Sequence, residues 1–196
     1  MYRNTMQNIK TRISKSSTTD KQSSAHVNTN IIVAIYPNQN GMGYVICEHP
    51  NDILKYGIGK FKQLSPTNYV KRLAKFIKHY RPDVIVLKGY NAQTNTIGKR
   101  VKKVIDSLET EAIKRELNVF RYRRSDIAKV FSTFGESNKY GISRTLAKWY
   151  PELRRYLVPI RTFMEPEHYH MGIFDAFALM YTHSALTGLI SEPHEN

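Results

Sequence analysis

The segment Pro82-Asp83-Val84-Ile85-Val86-Leu87-Lys88 contains the strongest strand signal in the chain. Its aliphatic centre is apolar on both faces, which is typical of a strand buried within a sheet that helices cover. Pro82 precedes the apolar run, and Lys88-Gly89 end it. The segment therefore predicts a buried central strand in an α/β domain.

Helical periodicity flanks this strand on both sides. A helix that opens at Pro66 is predicted before it, and a second helix, from about 96 to 117, is predicted after it. A short strand at 118–122 follows. In the first helix, apolar side chains recur at i, i+3, i+4 and i+7. These positions are Val70, Leu73, Ala74 and Ile77.

The segments farther from the centre complete the predicted fold. Three short strands with brief connections, at 31–36, 43–47 and 54–61, indicate an antiparallel meander before the first helix. Short helices follow the last strand, the first of them capped by Ser125. They are predicted at 125–134, 139–149 and 151–156, before a final helix at about 169–186. This order predicts one mixed five-stranded sheet flanked by helices.

The charge balance restricts the kind of partner. The chain of 196 residues has 30 Lys or Arg and 16 Asp or Glu, a net charge of +14, which favours nucleic acid first and an anionic membrane second. A single cysteine, Cys47, argues against a secreted domain held by disulfides. No apolar run approaches the roughly 18 residues of a membrane span. We therefore expect an intracellular protein: cytoplasmic and nucleoid-associated in a bacterium, or organellar in a eukaryote.

The chain divides into three parts by composition. Residues 1–29 contain five Lys or Arg and one acid, Asp20, and predict a disordered basic arm, although a transit peptide would look similar. Residues 30–188 form the predicted domain, and 189–196 a C-terminal tail. Because most of the positive charge lies beyond residue 29, the basic character belongs to the domain as well as to the arm.

Three segments resemble the RuvC-like Holliday junction resolvase superfamily, which has an RNase H-like fold. They are Ala34 to Ile46 with its turn, Pro82 to Lys88, and Ile173-Phe174-Asp175-Ala176-Phe177-Ala178-Leu179 with Thr182-His183. The chain also resembles uncharacterised bacterial RuvC-like proteins in three further places. These are Gly98-Lys99-Arg100-Val101, Asn138-Lys139-Tyr140 and Met171-Gly172-Ile173-Phe174-Asp175. The resemblance spans about 31–188.

This chain departs from the resembled pattern at the catalytic positions. The resemblance implies carboxylates on the first strand, the fourth strand and the last helix, holding two divalent metals. Tyr36 and Lys88 stand at the two strand positions, and Gly172 stands where many resolvases carry Asp or His. Only Asp175 matches. We therefore expect a degenerate member that binds structured or branched DNA or RNA and has lost catalysis. It would need no cofactor, and Mg²⁺ or Mn²⁺ only if active.

Several residues have two interpretations. Asp175 could be a surviving metal ligand, but we favour an ion pair with Lys88. Lys88 could instead bind a backbone phosphate. The basic face of the second helix, at Lys99 to Lys103, could bind phosphates, although a solvated helix face would show the same pattern. The segment Phe120-Arg121-Tyr122-Arg123-Arg124 could also bind nucleic acid, although a strand could instead separate its aromatic from its basic side chains. The candidate nucleic-acid-binding residues are Lys88, Lys99, Arg100, Lys102, Lys103, Arg121, Arg123, Arg124 and Lys139.

Two other functions stay open at this point. One is an active endonuclease with a relocated metal site, although a loop His-x-His without a clear third ligand is more often incidental. Its candidate ligands are Asp175, Glu165, Glu167, His168 and His170. The other is a scaffold subunit of a nucleoprotein complex, in which the cleft does nothing. Under each reading DNA is expected before RNA, and the resemblance implies a homodimer.

Overall fold

The computed structural model describes residues 30–39, 41–61, 65–91, 98–160 and 167–190. The predicted basic arm, the end of the predicted tail, and Glu165 lie outside the described residues.

The sheet has five strands in the order β3-β2-β1-β4-β5. The first three form the predicted antiparallel meander, whereas β4 runs parallel to β1, and β5 runs parallel to β4. Their bounds are β1 (Ile32–Asn38), β2 (Gly41–His49), β3 (Asp52–Gly59), β4 (Val84–Lys88) and β5 (Asn118–Tyr122). The mixed five-stranded sheet predicted from the sequence is thus confirmed, with its most apolar strands at the centre.

Helices cover both faces of this sheet. The first two pack on one face, and the remaining ones pack on the other, where the last helix runs against β1 and β2. They are α1 (Pro66–Tyr80), α2 (Lys99–Lys114), α3 (Arg124–Ser132), α4 (Lys139–Trp149), a 3₁₀ turn (Pro151–Tyr156) and α5 (Met171–Leu186). In the described part of the chain, no helix has both the length and the apolar character that a bilayer span requires.

Two local predictions were wrong. Helix α1 buries Leu73 and packs Ile77 against the core as predicted, but Tyr69 and Phe76 take the buried positions predicted for Val70 and Ala74, so its core face is rotated. Tyr69 and Phe76 bury the larger apolar surfaces, and each packs against another aromatic ring. Helix α3 begins one residue before Ser125, because the Asp126 carboxylate accepts the Arg123 N–H at 2.7 Å and closes the first turn.

A glycine contact fixes where α5 begins. Gly43 of β2 pairs with Tyr36 of β1, and a Cβ atom on Gly43 would overlap the carbonyl oxygen of Gly172. Only a residue without a side chain permits this approach. The start of α5 is thereby held against the β1–β2 hairpin, with Asp175 buried one turn further on.

The strand directions place the starts of several helices at one end of the sheet. Because β1, β3, β4 and β5 are mutually parallel, their carboxyl ends share one edge, which we call the carboxyl edge. Helices α1, α2 and α3 follow three of these strands and begin there. Helix α5 begins beside Gly43, at the same edge. Any ligand of this edge therefore faces several helix N-termini.

Candidate functional site

Five side chains from separate elements meet at the carboxyl edge and form what we call the cleft cluster. Tyr36 comes from β1, Lys88 ends β4, Lys139 starts α4, Glu167 precedes α5, and Asp175 lies within α5. Tyr36, Lys88 and Asp175 occupy the positions that the family resemblance implied. The structure brings them together as that resemblance implied.

Lys139 is the direct partner of Asp175. Its ammonium donates to Asp175 Oδ2 at 2.9 Å and to Glu167 Oε1 at 2.6 Å. The Asp175 side chain is only 4% exposed, whereas those of Lys139 and Glu167 are 27% and 30% exposed. The ammonium of Lys139 therefore bridges two carboxylates, as a metal cation could.

The predicted pair of Asp175 with Lys88 is corrected by this arrangement. The Lys88 ammonium lies 4.3 Å from the centroid of the Tyr36 ring, and within the described residues it forms no ion pair with Asp175. Asn138 caps α4 by accepting the Gly141 N–H at 2.8 Å, so the helix starts at Lys139. The packing of α4 on α5 then places Lys139 beside Asp175. The sequence contained the Asn138 cap signal, but not the position of α4 relative to α5.

Burial and charge set the protonation states in the cleft cluster. Burial lowers the pKa of Lys88 to about 8, although the Asp175 carboxylate opposes that shift. Burial alone would lower the pKa of Lys139 as well, but Asp175 and Glu167 outweigh it and leave that pKa raised. Burial, followed by the field of Asp175, raises the pKa of Tyr36 well above its ordinary value, so its phenol stays neutral. Burial also raises the pKa of Asp175, and Lys139 opposes that rise.

The cleft cluster does not fit a pair of divalent metals. Mg²⁺ and Mn²⁺ require several oxygen ligands, and two of the implied ligand positions hold Tyr36 and Lys88. Both carboxylates already bind the Lys139 ammonium. The guanidinium of Arg124 adds a further positive charge, whose field reaches both Tyr36 and Lys88. These groups suit an anion better than a divalent cation.

The relocated metal site proposed from the sequence is not assembled in the described part of the chain. Glu167 binds Lys139, while His168 stacks on Tyr169 and His170 packs against Tyr156. Among the described residues, no three His, Cys, Asp or Glu side chains come close enough to hold a metal ion together. Glu165 is outside the described residues.

Part of the candidate basic set lies exposed at the carboxyl edge. Lys99 and Arg100 form the exposed start of α2, and Lys103 is exposed one turn later. Lys102 is partly buried and lies 5.4 Å from the ring of Tyr90. Exposed cations at the first turn of a helix add to the positive end of its dipole, an arrangement that favours a bound anion.

Strand β5 separates the basic and aromatic side chains of the second candidate group. Phe120 and Tyr122 contact His183 of α5 on one face of the sheet. Arg121 binds Glu109 and Asp106 of α2, at 2.7 and 3.3 Å. The charge of Arg121 is therefore held by two carboxylates on the opposite face, which is the splitting that strand alternation predicts.

The two remaining arginines of this group lie at the start of α3. Arg123 lies 3.6 Å from Asp126, and Arg124 is partly buried and donates to the carbonyl of Ser137 at 3.2 Å. The charge of Arg124 acts on Tyr36 and Lys88 of the cleft cluster. Tyr90 was missed by sequence reasoning, and it donates to Asp106 at 2.6 Å beside Arg121. A lone tyrosine after a strand gives no sequence signal for such a contact.

The helix starts at the carboxyl edge lack the usual acidic residues. The first turns of α1, α2, α4 and α5 contain no Asp or Glu, and that of α3 contains only Asp126. An acid in a first turn commonly stabilises a helix by about 0.3–1 kcal/mol. Without first-turn acids, the exposed start of α2 presents its positive dipole end to an anionic ligand.

Comparison with known proteins identifies the fold. No protein-family model and no curated protein matches this sequence. The RuvC structure of Thermus thermophilus matches with a TM-score of 0.54 and 15% identity, over 81% of this chain and 97% of that one. RuvC from the same organism in complex with Holliday junction substrate matches with a TM-score of 0.56 and 13% identity, over 81% and 97%. The yeast mitochondrial Holliday junction resolvase matches with a TM-score of 0.56 and 10% identity, over 82% of each chain. The chain therefore has a RuvC-like resolvase fold, as the sequence motifs predicted.

Proposed function

We propose that this chain binds branched or structured nucleic acid, with DNA as its main ligand, and that it has lost metal-dependent hydrolysis. The observation that carries the proposal is the Lys139 ammonium, which bridges Asp175 and Glu167 at 2.9 and 2.6 Å. This ammonium binds Asp175, the carboxylate that matches the resembled metal site, together with the neighbouring Glu167. The cleft thus has its own cation.

Electrostatics opposes a divalent ion in this cleft. A unit positive charge about 5 Å from a divalent cation costs roughly 7 kcal/mol at an effective dielectric constant near 20. Lys88, Lys139 and Arg124 contribute positive charges to this cleft, against the two carboxylates of Asp175 and Glu167. The same excess of positive charge favours a phosphate group.

The ligand class follows from the wider carboxyl edge. Four helix starts without acidic side chains and the exposed Lys99 and Arg100 face the same side as the cleft cluster. Phosphate contacts of this kind give affinity with little recognition of the base sequence. RuvC from Thermus thermophilus, which shares the fold, was solved with a Holliday junction substrate, and this supports branched DNA as the ligand.

The experiment measures binding by fluorescence anisotropy in EDTA over a salt series. The ligands are a four-way DNA junction, duplex DNA, single-stranded DNA and structured RNA. We expect the junction to bind most tightly, with a steep loss of affinity as salt rises. In the variant Lys99→Ala/Arg100→Ala the slope of log K against log salt should fall by about one for each phosphate contact removed.

A matched control is available at the opposite end of the sheet. Lys75 and Lys78 are exposed in the last two turns of α1, which ends away from the carboxyl edge, so Lys75→Ala/Lys78→Ala removes the same charge and should leave the salt slope unchanged. Equal losses in both variants would mean that net charge acts without a defined surface. Absence of salt-sensitive binding to every nucleic acid would overturn the proposal and favour the scaffold function, which stable co-purification with partner proteins would support.

A further inference from the structure

Lys88 differs from the other lysine of the cleft cluster. It ends β4 at the carboxyl edge, is partly exposed, and lies over the ring of Tyr36 at 4.3 Å. Among the described residues no carboxylate forms an ion pair with it, whereas Lys139 binds two. In the described part of the chain, the Lys88 amine is therefore without a salt bridge, and the charges of Lys139 and Arg124 act on it.

We infer that Lys88 is a nucleophile that forms a Schiff base with the open-chain aldehyde of an abasic deoxyribose, and that the protein nicks abasic DNA by β-elimination. This inference rests on the proposed function, because the DNA backbone must first enter the cleft. It assigns a reaction that needs no metal to a cleft that does not fit metals.

The surroundings of Lys88 supply what such a nucleophile requires. A lysine attacks an aldehyde only as the neutral amine, and desolvation beside other cations favours that form. Burial lowers the pKa of Lys88 to about 8, from an ordinary value of 10.5. Near pH 7.5, a much larger share of the amine is then neutral than in an ordinary lysine. Lys139 stays charged at that pH, because its two carboxylates raise its pKa.

The ligand class identifies the electrophile. A surface that grips phosphates brings the sugar–phosphate backbone, rather than the base edges, to the end of β4. Where a base is missing, the C1′ carbon of the opened sugar is an aldehyde that no base shields. Arg124 and the helix starts at the carboxyl edge can hold the flanking phosphates while Lys88 reaches this carbon.

The reaction balances without an oxidant or a metal. The Lys88 amine adds to C1′, and the adduct takes up a proton and loses water to give the iminium ion. A proton then leaves C2′ for a cleft carboxylate, of which Glu167 is far more exposed than Asp175. The electron pair expels the 3′ phosphate, which leaves a 5′-phosphorylated strand. Water hydrolyses the remaining imine, which frees Lys88 and an unsaturated aldehyde.

The test is borohydride trapping in EDTA, with duplex DNA that carries one abasic site. Borohydride reduces the imine to a stable amine, so the covalent protein–DNA adduct is counted on a denaturing gel while anisotropy reports binding of the same DNA. In Lys88→Arg, which keeps the positive charge but has no neutral amine, we expect the adduct formed per bound DNA to fall at least about tenfold, with the bound fraction taken from the anisotropy of the same variant. Lys78→Arg, at the opposite end of the sheet, should trap as much as wild type.

The possible results separate this inference from the proposed function. Peptide mapping of the wild-type adduct should place the modified lysine at position 88, and this holds even if Lys88→Arg folds poorly. Abasic DNA that binds without forming an adduct, or an adduct on another amine, would overturn the inference and leave the proposed function intact. Absence of DNA binding would overturn both.

Discussion

Replacing Lys139 by Met removes the ammonium from the cleft and keeps the length of the side chain. The Asp175 side chain, 4% exposed, then lies buried without its partner. Loss of one partner of a buried ion pair typically costs about 3–5 kcal/mol. Glu167 is 30% exposed and is solvated in the variant, so the loss of its contact with Lys139 adds little to the destabilisation. We expect the free energy of unfolding to fall by about 3 kcal/mol, a large part of the roughly 5–15 kcal/mol of a typical domain.

Urea denaturation near neutral pH measures this loss, and a double variant assigns it to the pair. In Lys139→Met/Asp175→Asn the buried charge is gone, so most of the stability should return, with a coupling energy of about 2 kcal/mol. Arg144→Met is the matched control on the same helix. The Arg144 side chain is 59% exposed and lies 3.9 Å from Glu136, so its removal should cost less than about 1 kcal/mol.

The pH dependence supplies an independent check. Without Lys139, burial still raises the pKa of Asp175 and only the weaker field of Lys88 opposes that rise, so its folded-state pKa exceeds the unfolded value of 3.8. A group of this kind stabilises the fold below the unfolded pKa and loses that contribution as pH rises through the folded pKa. The deficit of Lys139→Met should therefore shrink as pH falls toward 4. A loss below about 1 kcal/mol that Asp175→Asn does not relieve would refute the bridging role of Lys139.

Three further predictions concern the rest of the carboxyl edge. Affinity for the DNA junction should fall as pH rises through about 8 and above, because Lys88 loses its charge there, and Lys88→Arg should flatten that profile in anisotropy titrations. Gly43→Ala should lower the free energy of unfolding by at least about 2 kcal/mol in urea and weaken binding, because its Cβ would overlap the carbonyl oxygen of Gly172; a fully stable variant would contradict the contact. Arg121→Ala should destabilise the fold by about 1 kcal/mol yet leave the salt slope of binding unchanged, because Glu109 and Asp106 already hold its charge; a slope that falls by one would place Arg121 on the DNA surface.

The elements that could be predicted from sequence are those with strong local patterns. Val84 to Leu87 forms a buried strand because four consecutive aliphatic residues suit a sheet covered on both faces. The rotation of α1 was missed because aliphatic spacing was weighed above the larger surfaces of Tyr69 and Phe76. The start of α3 was missed because the Asp126 carboxylate, and not the Ser125 hydroxyl, closes its first turn.

The sequence predicted which residues lie in the cleft, but not which side chains form ion pairs there. Family resemblance placed Tyr36, Lys88 and Asp175 at one edge, and the structure brings them together there. The contact of Asp175 with Lys139 spans 36 residues and depends on how α4 docks on α5, which no local pattern encodes. The pairing of Arg121 with Glu109 likewise depends on the packing of α2 against β5.

The measurement that tests the central claim most directly is cleavage of an intact four-way DNA junction at saturating protein, with Mg²⁺ or Mn²⁺ against EDTA. Bound and cut fractions are read from the same reactions at matched ionic strength. The account predicts equal binding in all three conditions and no product above the protein-free control, because Lys139 occupies the two carboxylates that a metal would need. A metal-dependent product that Asp175→Asn abolishes would contradict it, since the cleft would then hold a working metal site.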